Sequence, residues 1–505
     1  MNKDNKKILI MDRQRLDGVF RSAYAAQVLK QRKKTDIIVL TENSESSISV
    51  QTYKKLGVNN FIYLRKQKNL SNIGTIVLSL IGSIYLFFNL SFFKKFTISN
   101  YKINNIKIGD LIIDHQARYN KNYFKKKFFN FYTFRSIYNI YFSFLFIKNL
   151  VLKKKIELCI TTSYSYASIS SIAIRVALFY KKKVLVIAGS EYKLFKNYDE
   201  SLKGFGKFNK KSFEKFYKKN ENKKKSVLYF NKRINARTFS KNKKDFKINN
   251  VNKHDWDVYR SFYNKKTFTK KNFYKFLGFK NLNKPICTIA LHAFSDANHL
   301  YGNLVFSSFY DEFLETIDYL KNKNNFYWII KIHPTAGKYG EDGLVEKIIH
   351  EKRISNLKIL PNFVSTKTIL NLSDKLITTR GTIALEYAAL GKKPITSGDS
   401  YFKDFNITFK PKSKSQFFNL IKNNNFPKRL SKKKSILAKN ILYYMKVNLV
   451  KENIYNLTKP ASETGNKKFL YYLNKNLSTL IENKKLIKNK IFWKYKKMLN
   501  NIKSF

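Results

Sequence analysis

For its length the chain is poor in proline, glycine and cysteine, with 7, 17 and 2 among 505 residues. The two cysteines, Cys159 and Cys287, lie far apart inside apolar runs. That excludes a disulfide framework and a thiolate metal site, and reads as buried thiols in a reducing compartment. Acidic residues are also scarce, 33 against 99 Lys and Arg, for a formal net charge of +66. Among catalytic signatures HExxH, paired CxxC, the P-loop and GxGxxG are all missing. What is present is apolar material: 44% hydrophobic and 16% aromatic residues, enough for two or three ordinary domains.

Only 14 of the 99 basic residues are Arg. The Lys excess accompanies heavy use of Asn, Ile, Phe and Tyr, the set favoured by AT-rich codons. The lysines are scattered and not gathered into one binding module, so nucleic acid is not expected as a partner. Such a field suits anionic lipid or phosphorylated substrates. The opening MNKDNKKILIMDR has too short an apolar run for a signal peptide and reads as a first strand. A cytoplasmic protein is expected, with peripheral contact to the anionic inner face of the membrane. Residues 73–93 carry no charge and are long enough to span. They include Ser79, Ser83, Asn89 and Ser91, however, and a helix in the core or embedded in the surface is favoured over a span. In 122–155, Lys clusters interleave with Phe, Tyr and Leu, which fits either a membrane-surface helix or a buried one.

The first part of the chain reads as β-loop-α-β, the way doubly wound sheets begin: a strand at 8–11, a helix at 20–31 and a strand at 36–40. A further strand is expected at 110–114. Another βαβ unit follows, with strands at 157–161 and 184–188 around a helix at 167–180. Residues 207–247, rich in Lys and Asn, are expected to form a mobile insertion or long loop. The second half alternates more cleanly, with strands at 286–291, 327–332, 357–360, 375–378 and 394–397 separated by helices. That is one Rossmann-like domain.

Three strand ends of that domain carry candidate chemistry. The strand at 375–378 runs into Thr379-Arg380-Gly381-Thr382. There a glycine allows close backbone approach, a helix start favours phosphate, Thr382 can cap the helix and Arg380 can add a bidentate contact. Glu386, one turn on, can reach sugar hydroxyls. An ordinary capped αβ unit would read the same way. The strand at 326–332 ends in Lys331-Ile332-His333-Pro334, where Pro334 stiffens the loop and His333 can donate to a phosphate of a departing nucleotide. The first strand leads into His292, Ser295, Asp296, Asn298 and His299, a polar cluster for donor or acceptor, or simply a hydrogen-bonded loop. A D-x-D triplet at 255–257 follows polar residues, reads as a helix start, and leaves no metal site expected. An acceptor-activating base is expected from loops of the first domain, with Asp17 and Asp114 as candidates.

Lys331–Pro334, Arg380–Thr382 and the phrase Ile108-Gly109-Asp110-Leu111-Ile112-Ile113-Asp114 together resemble the capsule polysaccharide biosynthesis family, whose better-known members transfer Kdo from CMP-Kdo. The resemblance covers 284–400 and 105–118. It implies an α/β, GT-B-like fold of two facing Rossmann-like domains with parallel sheets and C-terminal helices. Residues 1–275 would be an acceptor domain with a basic insertion near 200–250, and 284–410 the nucleotide-sugar-binding domain. Residues 411–505 would be a Lys/Asn-rich helical tail. It further implies a metal-independent glycosyltransferase with a nucleotide sugar as substrate, no separate cofactor, and a surface-glycan or lipid-linked acceptor. In such enzymes a His-Pro pair and a Ser/Thr-rich turn hold the nucleotide phosphate, here His333-Pro334 and Arg380–Thr382. The turn reads Arg-Gly-Thr where relatives tend to be Ser-rich, which leaves the nucleotide open. A CDP-polyol phosphate transferase, a nucleotide-sugar epimerase and a non-catalytic basic binding protein are the alternatives.

Overall fold

A computed structural model describes residues 7–12, 36–55, 57–92, 99–120, 131–162, 166–188, 191–202, 210–235, 265–300, 302–425 and 428–448, with isolated positions between. Described residues up to Leu202 form one compact unit and those from Lys210 to Asn448 a second. Both are α/β.

Strands β1 (Lys7–Met11), β2 (Asp36–Thr41), β3 (Phe61–Tyr63), β6 (Ile156–Thr161), β7 (Lys183–Ala188) and β8 (Glu191–Phe195) make the sheet of the first unit, in the order β3-β2-β1-β6-β7-β8. All neighbours are parallel except β8, which pairs antiparallel with β7. Ile8, Leu9, Val39, Leu158 and Leu185 are fully buried, as befits parallel strands covered on both faces. A small hairpin, β4 (Lys102–Ile103) and β5 (Ile106–Lys107), turns through Asn104 and Asn105, both at positive φ. The helices are α1 (Ile48–Lys55), α2 (Ile73–Phe92), α3 (Gly109–Tyr119), α4 (Phe131–Lys153) and α5 (Ile169–Phe179).

One expectation changes here, and two that left alternatives open are narrowed. The strand expected at 110–114 is part of α3. An apolar triplet between two aspartates carries no periodicity that separates strand from buried helix. What fixes the helix is Asp110 in its first turn, favourable to the helix dipole and clamped by Arg175 through contacts of 2.5 and 2.7 Å. The basic aromatic stretch is a core helix: Ile137, Ile140, Phe142, Phe144 and Ile147 of α4 are buried. The charge-free segment, by contrast, is mostly exposed. Among the described residues α2 is the one helix long and apolar enough to cross a membrane.

In the second unit, β9 (Ile286–Ala290), β10 (Tyr327–Lys331), β11 (Leu357–Ile359), β12 (Lys375–Thr378) and β13 (Ile395–Thr396) form an all-parallel sheet in the order β11-β10-β9-β12-β13. All five strands were expected. Residues 210–235, expected in a loop-like insertion of the first domain, instead hold two helices, α6 (Lys210–Tyr217) and α7 (Asn220–Ile234). Their aromatics, spaced at helical intervals, pack on Tyr443 and Tyr444: Phe213 lies 5.4 Å from Tyr444 and Tyr229 5.5 Å from Tyr443, ring centre to ring centre. The remaining helices used below are α8 (Phe309–Leu320), α9 (Leu344–Glu351), α10 (Thr366–Leu372), α11 (Thr382–Ala389) and α12 (Lys432–Tyr443). Cys159 and Cys287 are free and buried in β6 and β9, and burial pushes both thiols up to about 12.

Candidate functional site

From β9 the second sheet is laid down in both directions, β10 and β11 to one side, β12 and β13 to the other. The crevice beyond the carboxyl ends of β9 and β12 is the switch point at which open α/β sheets bind ligands. A cavity of about 240 Å³ opens there, walled by the residues that follow β9, β10 and β12.

Gly381 occupies the N-cap position of α11, and no side chain caps the helix. The expectation that the Thr382 hydroxyl caps it is therefore corrected. Thr382 is already helical, and its hydroxyl lies 3.5 Å from that of Tyr401. The first N–H groups of α11 thus meet the cavity without a side-chain acceptor, at the positive end of the helix. The backbone there is tightly enclosed: a Cβ on Gly381 would lie 3.0 Å from Thr378 Oγ1 and 3.7 Å from His292 Nε2.

Cationic and imidazole groups surround this point. Arg380 is buried, donates 2.5 Å from Nη2 to the Asn298 carbonyl, and stacks 5.1 Å from the Phe309 ring centre. His333 Nδ1 lies 2.7 Å from the Thr335 hydroxyl and 3.3 Å from the Thr335 backbone N–H, which together orient the ring. The His292 ring stacks on that of His333 at 5.9 Å. Burial first, then the charges of His333 and Arg380, hold His292 well below the usual histidine range. Its Nε2 is buried without a hydrogen-bond partner among the described residues. Lys331 lines the cavity floor, and burial, with help from Lys265, pushes it down to about 8. Pro334 and Asp296 also line the wall.

Glu386 faces the cavity but is held by an unexpected partner. Arg233 of α7 donates from Nε to its Oε1 at 2.8 Å, and both side chains are almost wholly buried. Behind the turn, Glu312 of α8 accepts from Thr379 Oγ1 at 2.7 Å and Ser397 Oγ at 2.5 Å. Burial pushes that carboxyl up to about 7, against those hydrogen bonds and the charge of Arg380.

Other expected residues sit elsewhere. Ser295 does not line the cavity. Its backbone N–H and hydroxyl both donate to Glu341, which also takes the Phe294 N–H at 2.9 Å and so pins the loop after β9. Asp114 is buried inside α3 and not in an edge loop, so it is not presented to an acceptor from a strand end. Asp17 and the triplet at 255–257 lie outside the described residues. Among the described residues no group of three or more His, Cys, Asp or Glu is arranged to hold a metal ion.

Sequence reading overlooked four residues. Arg233 had no local signal, being 153 residues from its partner. Ser400 and Tyr401 line the cavity just after β13, where the polar run Gly398-Asp399-Ser400 marks one more strand end. Asp12 ends β1 at the switch point of the first sheet. Its Oδ2 accepts from Thr41, Asn43 and Ser49 at 2.6, 2.8 and 3.1 Å, while its buried Oδ1 has no partner among the described residues.

No family model matches the chain, and no curated protein matches it in sequence. Among solved structures, the Kdo transferase KpsC of Thermosulfurimonas dismutans is 12% identical, covering 57% of this chain and 79% of its own, with a TM-score of 0.30. The UDP-GlcNAc 2-epimerase of Neisseria meningitidis, bound to UDP-GlcNAc, is 12% identical over 87% of this chain and 99% of its own, TM-score 0.27. Anabaena HepE, in complex with UDP and glucose, is 10% identical over 90% and 100%, TM-score 0.28.

Proposed function

We propose that the second unit binds a nucleotide sugar through its phosphate and that the protein transfers the sugar to a glycan or lipid-linked acceptor at the cytoplasmic face of a membrane. One observation carries this reading. The uncapped start of α11, Arg380, His292 and His333 converge on one cavity at the switch point of a parallel sheet. Backbone N–H groups and a guanidinium suit an anion, and a protonated imidazole nitrogen of His333 can donate to it.

In the proposed step an acceptor hydroxyl attacks the anomeric carbon, and the bond from that carbon to the phosphate oxygen breaks. The nucleotide departs with the electron pair. Its charge is met by Arg380, His333 and the N–H groups of Thr382 and Ile383, all present before the reaction begins. Pro334 keeps the His333 loop stiff, Lys331 adds positive charge at the floor, and the Glu386–Arg233 pair offers hydrogen bonds to sugar hydroxyls. The hydroxyl proton passes to a general base, for which a carboxylate is chemically suited. No metal takes part.

The test is release of free nucleotide from a panel of nucleotide sugars by the full-length protein, with and without a lipid-linked acceptor and with EDTA. His333→Ala and Arg380→Ala should each lower kcat by roughly 100- to 1000-fold. Turnover by either variant equal to wild type would refute the assignment. Loss of turnover in EDTA would refute the metal-independent step.

A further inference from the structure

The helix α2 has its amphipathicity reversed for a helix packed on a protein in water. Its inner face is largely small and polar, although Leu86 is buried there and Phe87 meets Phe134 of α4 edge-on at 5.7 Å. Thr75, Ser79, Gly82 and Ser83 turn toward α4. Ser79 Oγ donates to the Thr75 carbonyl at 2.5 Å and Ser83 Oγ to that of Ser79, so both hydroxyls are satisfied within the helix. Tyr141 of α4 lies so close to Gly82 that no Cβ fits, and Asn149 Nδ2 reaches Thr75 Oγ1 at 3.4 Å. Small residues and internally bonded hydroxyls let two helices approach closely, a pattern of helix pairs in lipid.

The outer face is the large apolar one: Ile73, Val77, Leu78, Ile81, Tyr85 and Phe88 are between 47% and 62% exposed. A core helix would turn these inward and the serines outward. From Asn69 to Phe93 the sequence has no charged residue, while Arg65, Lys66 and Lys68 precede that stretch and Lys94 and Lys95 follow it. The described cations among these, Arg65, Lys66 and Lys68, are exposed.

We infer that α2 lies in the interface of an anionic lipid bilayer, its outer face immersed among the acyl chains and the flanking cations among the headgroups. Three features favour lipid over a protein partner. The outer face carries no charged group, and its polar side-chain atom among the residues named is the Tyr85 hydroxyl, which suits the boundary between acyl chains and headgroups. The cations bracket it in sequence as headgroup contacts would, and the chain's net charge of +66 complements an anionic surface. A position across the bilayer is disfavoured by α4, which packs along α2 and also on α5 and β6 of the sheet. Only the outer side of α2 can leave water. Every residue used here belongs to the first unit, so the inference stands apart from the nucleotide site.

The test is flotation of the full-length protein with vesicles of phosphatidylcholine and phosphatidylglycerol, and with phosphatidylcholine alone. Wild type should float with the mixed vesicles and bind the neutral ones more weakly. The double variant Ile81→Glu/Tyr85→Glu should lose about 100-fold in partitioning, with its unfolding temperature unchanged because both positions are exposed. Lys66→Glu/Lys68→Glu should lose preference for the anionic vesicles, by about fivefold per cation removed. The nucleotide-induced thermal shift, measured on the same samples, should be unaltered in both. Equal flotation of wild type and the apolar-face variant would overturn the inference. So would a wild-type dimer by light scattering that the variant converts to monomer without any vesicle binding, which would assign the face to a second copy. Retention on vesicles through alkaline carbonate would overturn the interfacial position in favour of a span.

Discussion

Replacing Gly381 by alanine separates the ligand site from the fold more cleanly than any other single change. Gly381 sits at φ −60° and ψ 150°, a backbone conformation open to any L-residue, so the substitution introduces no strain there. The new Cβ would lie 3.0 Å from Thr378 Oγ1, 3.4 Å from Ile383 Cγ2 and 3.7 Å from His292 Nε2, with only the first contact tight. Reduced freedom of the unfolded chain stabilises by about 0.4–1 kcal/mol, while the poorer N-cap and the tight contact cost a similar amount, so net stability should move by less than about 1 kcal/mol. The methyl group does, however, fill the space through which an anion reaches the first N–H groups of α11. Losing one charge-assisted hydrogen bond costs about 1.5–3 kcal/mol, which is roughly 10- to 150-fold in Kd. Isothermal titration with UDP, CDP, CMP and GDP, beside thermal unfolding, reads both quantities. An unchanged Kd together with an unchanged unfolding temperature would refute a phosphate at this turn.

Two further perturbations probe the support of the site. Arg233→Met leaves the Glu386 carboxylate buried without this partner and should destabilise the protein by about 3–5 kcal/mol, measured by urea unfolding; a change below about 1 kcal/mol would contradict the buried pair. Glu312, raised to about 7, binds its proton more tightly folded than unfolded. Its contribution to stability is full below its unfolded value near 4.5 and is lost as pH rises through 7. Glu312→Gln should therefore gain on wild type by about 3 kcal/mol between pH 5 and 8, and a flat difference would refute the shift.

The second unit was legible in sequence because its strands are short apolar runs between turn residues, and its three functional strand ends follow such runs directly. His333 and Arg380–Gly381 fall where the alternation of strands and helices puts them. What was illegible depends on tertiary partners. Ser295 looks available until Glu341, 46 residues on, takes its hydroxyl and N–H. Glu386 looks free to meet a sugar until Arg233 arrives from a helix far back in the chain. The run 110–114 is apolar enough for a strand, and only the clamp of Arg175 on Asp110 gives the helix its start. The helices α2 and α4 show the limit of composition most plainly. The basic one is buried through Ile137, Ile140, Phe142, Phe144 and Ile147 despite its flanking lysines, and the uncharged one is exposed because its small residues take the inner face.

The central claim is that a nucleotide phosphate binds where β9, β10 and β12 end. The most direct measurement is a crystal structure with the nucleotide that raises the unfolding temperature most. The account predicts a phosphate within hydrogen-bond distance of the Thr382 or Ile383 N–H and of His333 Nε2, with Arg380 beside it. A nucleotide bound elsewhere, or none bound at saturating concentration, would contradict it.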